Sequence, residues 1–108
     1  MEIKISEIEI DDTGDSRHNW TGKIWINIGE AMPSLFVSCG LAKSHVLLDL
    51  ANSIGSFRDG CRAMDAPAHI IAALTGLVMQ LFKMSNEALE TELEVYSNPV
   101  VMKGGNNG

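Results

Sequence analysis

This chain has little of what usually anchors or activates a small protein. Its 108 residues include two cysteines, three prolines, two tryptophans, three phenylalanines and one tyrosine. Cys39 and Cys61 show no C-x₂-C spacing, and His18, His45 and His69 show no H-x₃-H spacing, so no metal site is expected. The stretch DDTGD lacks the order and the closing Glu of a calcium loop and reads as a turn. No G-x-G-x-x-G, phosphate loop or G-x-S-x-G occurs, which leaves nucleotide-dependent chemistry without a motif and predicts no cofactor. The opening MEIKISEIEI has neither the basic start nor the apolar stretch of a secretory leader. A cytoplasmic protein with free thiols is the expectation.

Charge is scarce in one place above all. Between Asp65 and Lys83 the run APAHIIAALTGLVMQLF carries none. A helix made of it is apolar nearly all round and must be covered on most of its circumference. A body of 108 residues has little interior in which to do that. The run is too short, and too interrupted by Pro67, His69, Gly76 and Gln80, to read as a membrane span. The remaining means of cover are a sheet, another helix and a second copy of the chain. Ile70, Leu74, Leu77, Leu81 and Met84 follow one another at alternating spacings of four and three, and are the candidates for core or oligomer interface. A homo-oligomer, most simply a homodimer, is expected.

Hydrophobic residues make up 45% and charged residues 20% of the chain, the balance of a folded domain. The net charge is −6, and it sits at the ends. Glu2, Glu7, Glu9, Asp11, Asp12 and Asp15 oppose only Lys4 in the first fifteen residues. Glu87, Glu90, Glu92 and Glu94 oppose only Lys103 at the other end. Acidic termini disfavour direct nucleic-acid binding, which needs cations against phosphate.

Along the chain, alternation comes first and helical spacing second. Residues 2–10 read as a strand with isoleucines at 3, 5, 8 and 10; the parity slip between Ile5 and Ile8 predicts a bulge near Ser6–Glu7. Lys23–Gly29 and Ser34–Cys39 are the second and third strands of an antiparallel meander. In the second, Ile24, Ile26 and Ile28 share one face and Trp25 and Asn27 the other. An amphipathic helix follows over about 42–54, ending near Gly55, then a loop SFRDGCRAM, then a second helix capped by Asp65. With one continuous helix from 66 into the low nineties as the alternative, that helix is expected to break at Met84–Ser85–Asn86. The segment 85–97 beyond is then a short third helix or a strand. Regular structure is expected to stop at Asn98–Pro99. The fold predicted is a single α+β domain over 1–98, with a three-stranded antiparallel sheet against two or three C-terminal helices, and a flexible tail over 99–108.

Two constellations bear on function. Cys39, His45 and Asp49 contain the parts of a thiol nucleophile, a base and an orienting carboxylate, yet six residues separate Cys39 from His45. The plainer reading is a structural cysteine beside a surface His–Asp pair, and no catalytic residue is assigned. Arg17, His18 and Trp20 form a cationic and aromatic patch at the end of a polar loop, and are the candidate partner-binding residues. The sequence thus points to a small acidic, non-enzymatic binding or regulatory module acting through protein–protein contact. Two alternatives stand beside it: a small oligomeric enzyme with a Cys39-centred or inter-subunit site, and an acidic inhibitor that mimics nucleic acid.

Overall fold

The computed structural model describes residues 1–14 and 19–106, with side chains described as far as Glu94. Four antiparallel strands are followed by two helices: β1 Ile3–Ile5, β2 Glu9–Asp12, β3 Trp20–Ile28, β4 Ser34–Gly40, α1 Lys43–Ala63 and α2 Ala68–Asn106. β3 is central; β1 and β2 both pair along one of its edges and β4 along the other. The fold is α+β, as expected, with four strands in place of three.

The extra strand comes from the bulge. Ile5 pairs with Ile26 and Glu9 with Lys23, so the first strand advances four residues while β3 advances three. One residue is therefore surplus, and the ladder splits into β1 and β2 around it. The surplus residue corrects the isoleucine parity. Ile3 and Ile5 pair with Ile28 and Ile26, and Ile10, of opposite parity, pairs with Gly22 on the same face. Ser6 holds the break. Its N–H donates to the Trp25 carbonyl at 2.9 Å, and its Oγ accepts from the Trp25 N–H at 2.9 Å. The hydroxyl thus receives a ladder donor that the interrupted strand no longer meets with a carbonyl.

Ile24 and Ile26 of β3 are fully buried beneath α1, whose Val46, Leu47, Leu50, Ala51 and Ile54 complete that layer. Gly22 lies on this face because nothing larger fits. A β-carbon there would sit 2.8 Å from Leu50 Cδ1 and Val46 Cγ1, and 2.9 Å from Ile10 Cδ1. α1 does not stop at Gly55; it runs to Ala63. Phe57 and Cys61 continue the spacing of Leu50 and Ile54 and pack on the core. Phe57 meets Phe36 edge-to-face at 5.2 Å. This packing outweighs two helical glycines, at about 1 kcal/mol each.

Asp65 is a helix terminator rather than the cap of α2. Its φ is +59°. Its N–H donates to the Arg62 carbonyl and the Ala66 N–H to the Cys61 carbonyl, at 3.0 Å each. This is the pair of bonds that closes a helix through one left-handed residue, with Asp where glycine is commoner.

α2 does not break at Met84–Ser85–Asn86; it is one continuous helix, so the 85–97 segment is helical. Its small residues explain the continuity. Ser85 is buried and donates to the Ser44 carbonyl at 2.8 Å. About two turns beyond, Glu92 accepts from the Ser44 N–H at 3.1 Å and from the Ser44 Oγ at 2.5 Å. Ala42 offers α1 no side-chain cap. The Glu92 carboxylate supplies one from α2, at the end of α1 where negative charge is favoured. The helical backbone also passes Pro99 and reaches Asn106, so regular structure does not end at Asn98–Pro99.

Candidate functional site

Ile70, Leu74, Leu77 and Leu81 are buried within this chain, and Met84 is half-buried beside them. They form the seam by which α2 lies on α1 and the core. Any second copy must be met by other residues.

Of the expected partner-binding patch, Arg17 and His18 lie outside the described residues. Trp20 opens β3 on the inner face, opposite Gly40, and is half-buried against the core. The Lys43 ammonium stands 5.7 Å from the centre of its ring. Trp20 thus closes one end of the core beneath a cation.

The other tryptophan is placed differently. Trp25 points away from the helices, and no described helix or strand lies over it. Register pairs Trp25 with Leu35, Lys23 with Val37 and Thr21 with Cys39 on this outer face. Trp25, Leu35 and Val37 are 42, 43 and 51% exposed. They make an apolar strip across two strands. Beside it lies a crevice of about 360 Å³, lined by Lys4, Ser6, Trp25, Asn27 and Pro33 among others. Asn27 Oδ1 is buried there without a hydrogen-bond partner among the described residues. The alternation of Ile24, Ile26 and Ile28 with Trp25 and Asn27 is visible in the sequence. Which of the two sets the helices cover is not, because Trp25 is as able to enter a core as the isoleucines are.

β4 is also one outer edge of the sheet, opposite the β1–β2 edge. Its seven residues, SLFVSCG, contain no charge and no proline. Such an edge is a template for another strand unless it is blunted. A larger open groove of about 650 Å³ runs between the bulge and α2, with Ser6, Glu7 and Ile8 on one side and Ala73, Gly76 and Gln80 on the other.

Cys39 and His45 are not brought together. Cys39 is exposed on the outer face, with the Thr21 hydroxyl 3.9 Å from its sulfur. His45 lies on α1, its Nε2 3.9 Å from Asp49 Oδ1. Ser38 donates to the other oxygen of the same carboxylate at 3.1 Å. Serine, histidine and aspartate do meet here, but with the carboxylate in the middle. Nucleophilic catalysis needs the imidazole in that position. As built, the cluster ties β4 to α1. His69 donates from Nε2 to the Met1 carbonyl at 2.6 Å, joining the start of α2 to the start of the chain. Among the described residues no three His, Cys, Asp or Glu side chains gather as a metal site. Cys61 belongs to α1, not to a loop.

Comparison with protein-family models, with curated proteins and with solved structures finds no match to this chain.

Proposed function

We propose that this protein is a small acidic binding or regulatory module that works through protein–protein contact and self-associates. The observation that carries the reading is the uncovered strip of Trp25, Leu35 and Val37 on the sheet. Tryptophan concentrates binding energy where it can be enclosed by a partner, and isolated apolar residues do not need such an explanation while a contiguous strip does. The uncharged β4 edge adjoining it supports a partner that adds a strand or lays a flat apolar face on the sheet. The net charge of −6 favours a protein partner over phosphate backbone. A cytoplasmic setting accords with two free cysteines.

The test is a paired capture and melting experiment with Trp25→Ala/Leu35→Ala protein. The reading expects loss of a partner that the unaltered protein retains from extracts of its native cell, with the melting temperature nearly unchanged. Equal retention by both proteins, with both folded, would move the binding surface elsewhere.

A further inference from the structure

α2 has a second apolar seam, and no described element covers it. Ala72, Thr75, Met79, Phe82, Asn86, Leu89 and Leu93 are spaced three, four, three, four, three and four residues apart. That is the heptad spacing of a helix that pairs with another helix. At 100° per residue, this seam lies well over a quarter of a turn away from the Leu74–Leu77–Leu81 seam that meets α1. Its large apolar members stand open: Met79 is 66% exposed, Phe82 39%, Leu89 45% and Leu93 55%. Asn86 is the one amide in the row, and it is exposed.

We infer that this seam pairs α2 with α2 of a second copy, antiparallel, in the register that sets Asn86 against the partner's Leu89 and Phe82 against the partner's Leu93. The inference deepens the self-association proposed above and rests on that part of the reading alone. Three considerations select the arrangement. The occupant is a helix, because heptad spacing matches a helix and not a sheet. The orientation follows from charge. Glu87, Glu90, Glu92 and Glu94 fall along the outer half of the described helix, with Glu92 turned toward Ser44 of α1, and the inner half has no acid. A parallel pair would set these four acids level with their four copies. The antiparallel pair leaves Glu87 near the two-fold axis and sets Glu90, Glu92 and Glu94 level with the partner's Ser85, Lys83 and Leu81, none of them acidic. The register follows from the flanking positions. Lys83 and Glu90 both flank the seam on the side away from α1. With Asn86 opposite Leu89, each Lys83 flanks the partner's Glu90, twice by symmetry. Sliding one heptad in one direction sets Lys83 against Lys83, and sliding in the other sets Glu90 against Glu90. Only one register pairs unlike charges. The two-fold relation also makes the surface self-complementary, as a closed dimer requires.

Light scattering over a micromolar concentration series tests this in the full chain. The expected mass is twice 11.7 kDa. Leu89→Glu, at a half-exposed position, should keep the circular dichroism of the unaltered protein and lose the dimer. Lys83→Glu and Glu90→Lys should each raise the dissociation constant by about tenfold, and the double exchange should restore it. In protein with Cys39 and Cys61 replaced by serine, Met79→Cys should form no intermolecular disulfide under oxidation. The two residues 79 are about 25 Å apart along the pair in this register, and side by side in a parallel one. Disulfide-linked Met79→Cys dimer would overturn the antiparallel register. A dimer that survives Leu89→Glu would overturn the seam. A monomer at every concentration would overturn the pairing while leaving partner capture through Trp25 standing or falling on its own experiment.

Discussion

The two faces of the sheet are made from alternate residues of the same strands, and they meet opposite fates. Ile24 and Ile26 disappear beneath α1, while Trp25 and Leu35, one step along, remain in the open. Both sets are apolar. What separates them is supply: one helix covers one face, and the second helix is spent on the first. α2 repeats the pattern. Its inner seam is enclosed and its outer seam, just as regular, is covered by none of the described residues. Much of the exposed apolar surface is therefore not scattered. Trp25, Leu35 and Val37 gather on one sheet face and Met79, Phe82, Leu89 and Leu93 on one helix stripe, while Met1, Met32, Leu41, Leu48 and Met64 lie off both; the gathering is what distinguishes an interaction surface from ordinary exposed hydrophobic residues.

The sharpest way to break this comparison is at the inner seam. Leu77→Asp places a charge between Leu74 and Leu81 in the core and should cost several kcal/mol, comparable with the whole stability of a domain this size. The protein should be unfolded or insoluble, as read by circular dichroism and yield. Folded, soluble protein would show that the inner seam is not the core. A subtler probe is Gly22→Ala. The added methyl meets Leu50, Val46 and Ile10 at under 3 Å, and the branched Val46 has little room to turn away. A loss of about 1–3 kcal/mol in chemical denaturation is expected. No loss would mean that the contact between β3 and α1 is looser than described.

At the bulge, Ser6→Ala removes the acceptor of the Trp25 N–H and should cost about 1 kcal/mol. An unchanged denaturation midpoint would show that water replaces the hydroxyl freely. Smallest of all should be Trp25→Ala, within about 0.5 kcal/mol, because the ring lies outside the core. A large loss there would mean that the outer face is structural after all, and the comparison between the faces would fail.

Much of the fold was legible because it rests on period. The isoleucine parity slip foretold the bulge, and the amphipathic pattern over 42–54 foretold α1. The errors fell where tertiary contact overrides local signals. Gly55 and Gly60 read as loop residues, but Phe57 and Cys61 draw the helix across them. Met84–Ser85–Asn86 read as a break because serine and asparagine are weak helix formers. In place, Ser85 is the small polar residue that lets α2 cross the start of α1 and bond to Ser44. Asp65 was legible as a punctuation mark, but its side of the boundary depends on a left-handed backbone that sequence does not display. The site was less legible than the fold. Trp20 and Trp25 are five residues apart on one strand, and only the register and the position of α1 assign the first to the core edge and the second to the open face.

Under the pairing proposed above, the outward apolar stripe of α2 becomes covered as the protein associates. Hydroxyl-radical labelling, read by mass spectrometry on dilute and concentrated protein, tests it at the side chains themselves. Met32 and Met64 are highly exposed and lie off that stripe, and so serve as internal references. The account predicts that Met79 and Phe82 lose labelling as concentration rises through the micromolar range, while Met32 and Met64 do not change. Met79 labelled equally at every concentration would contradict it.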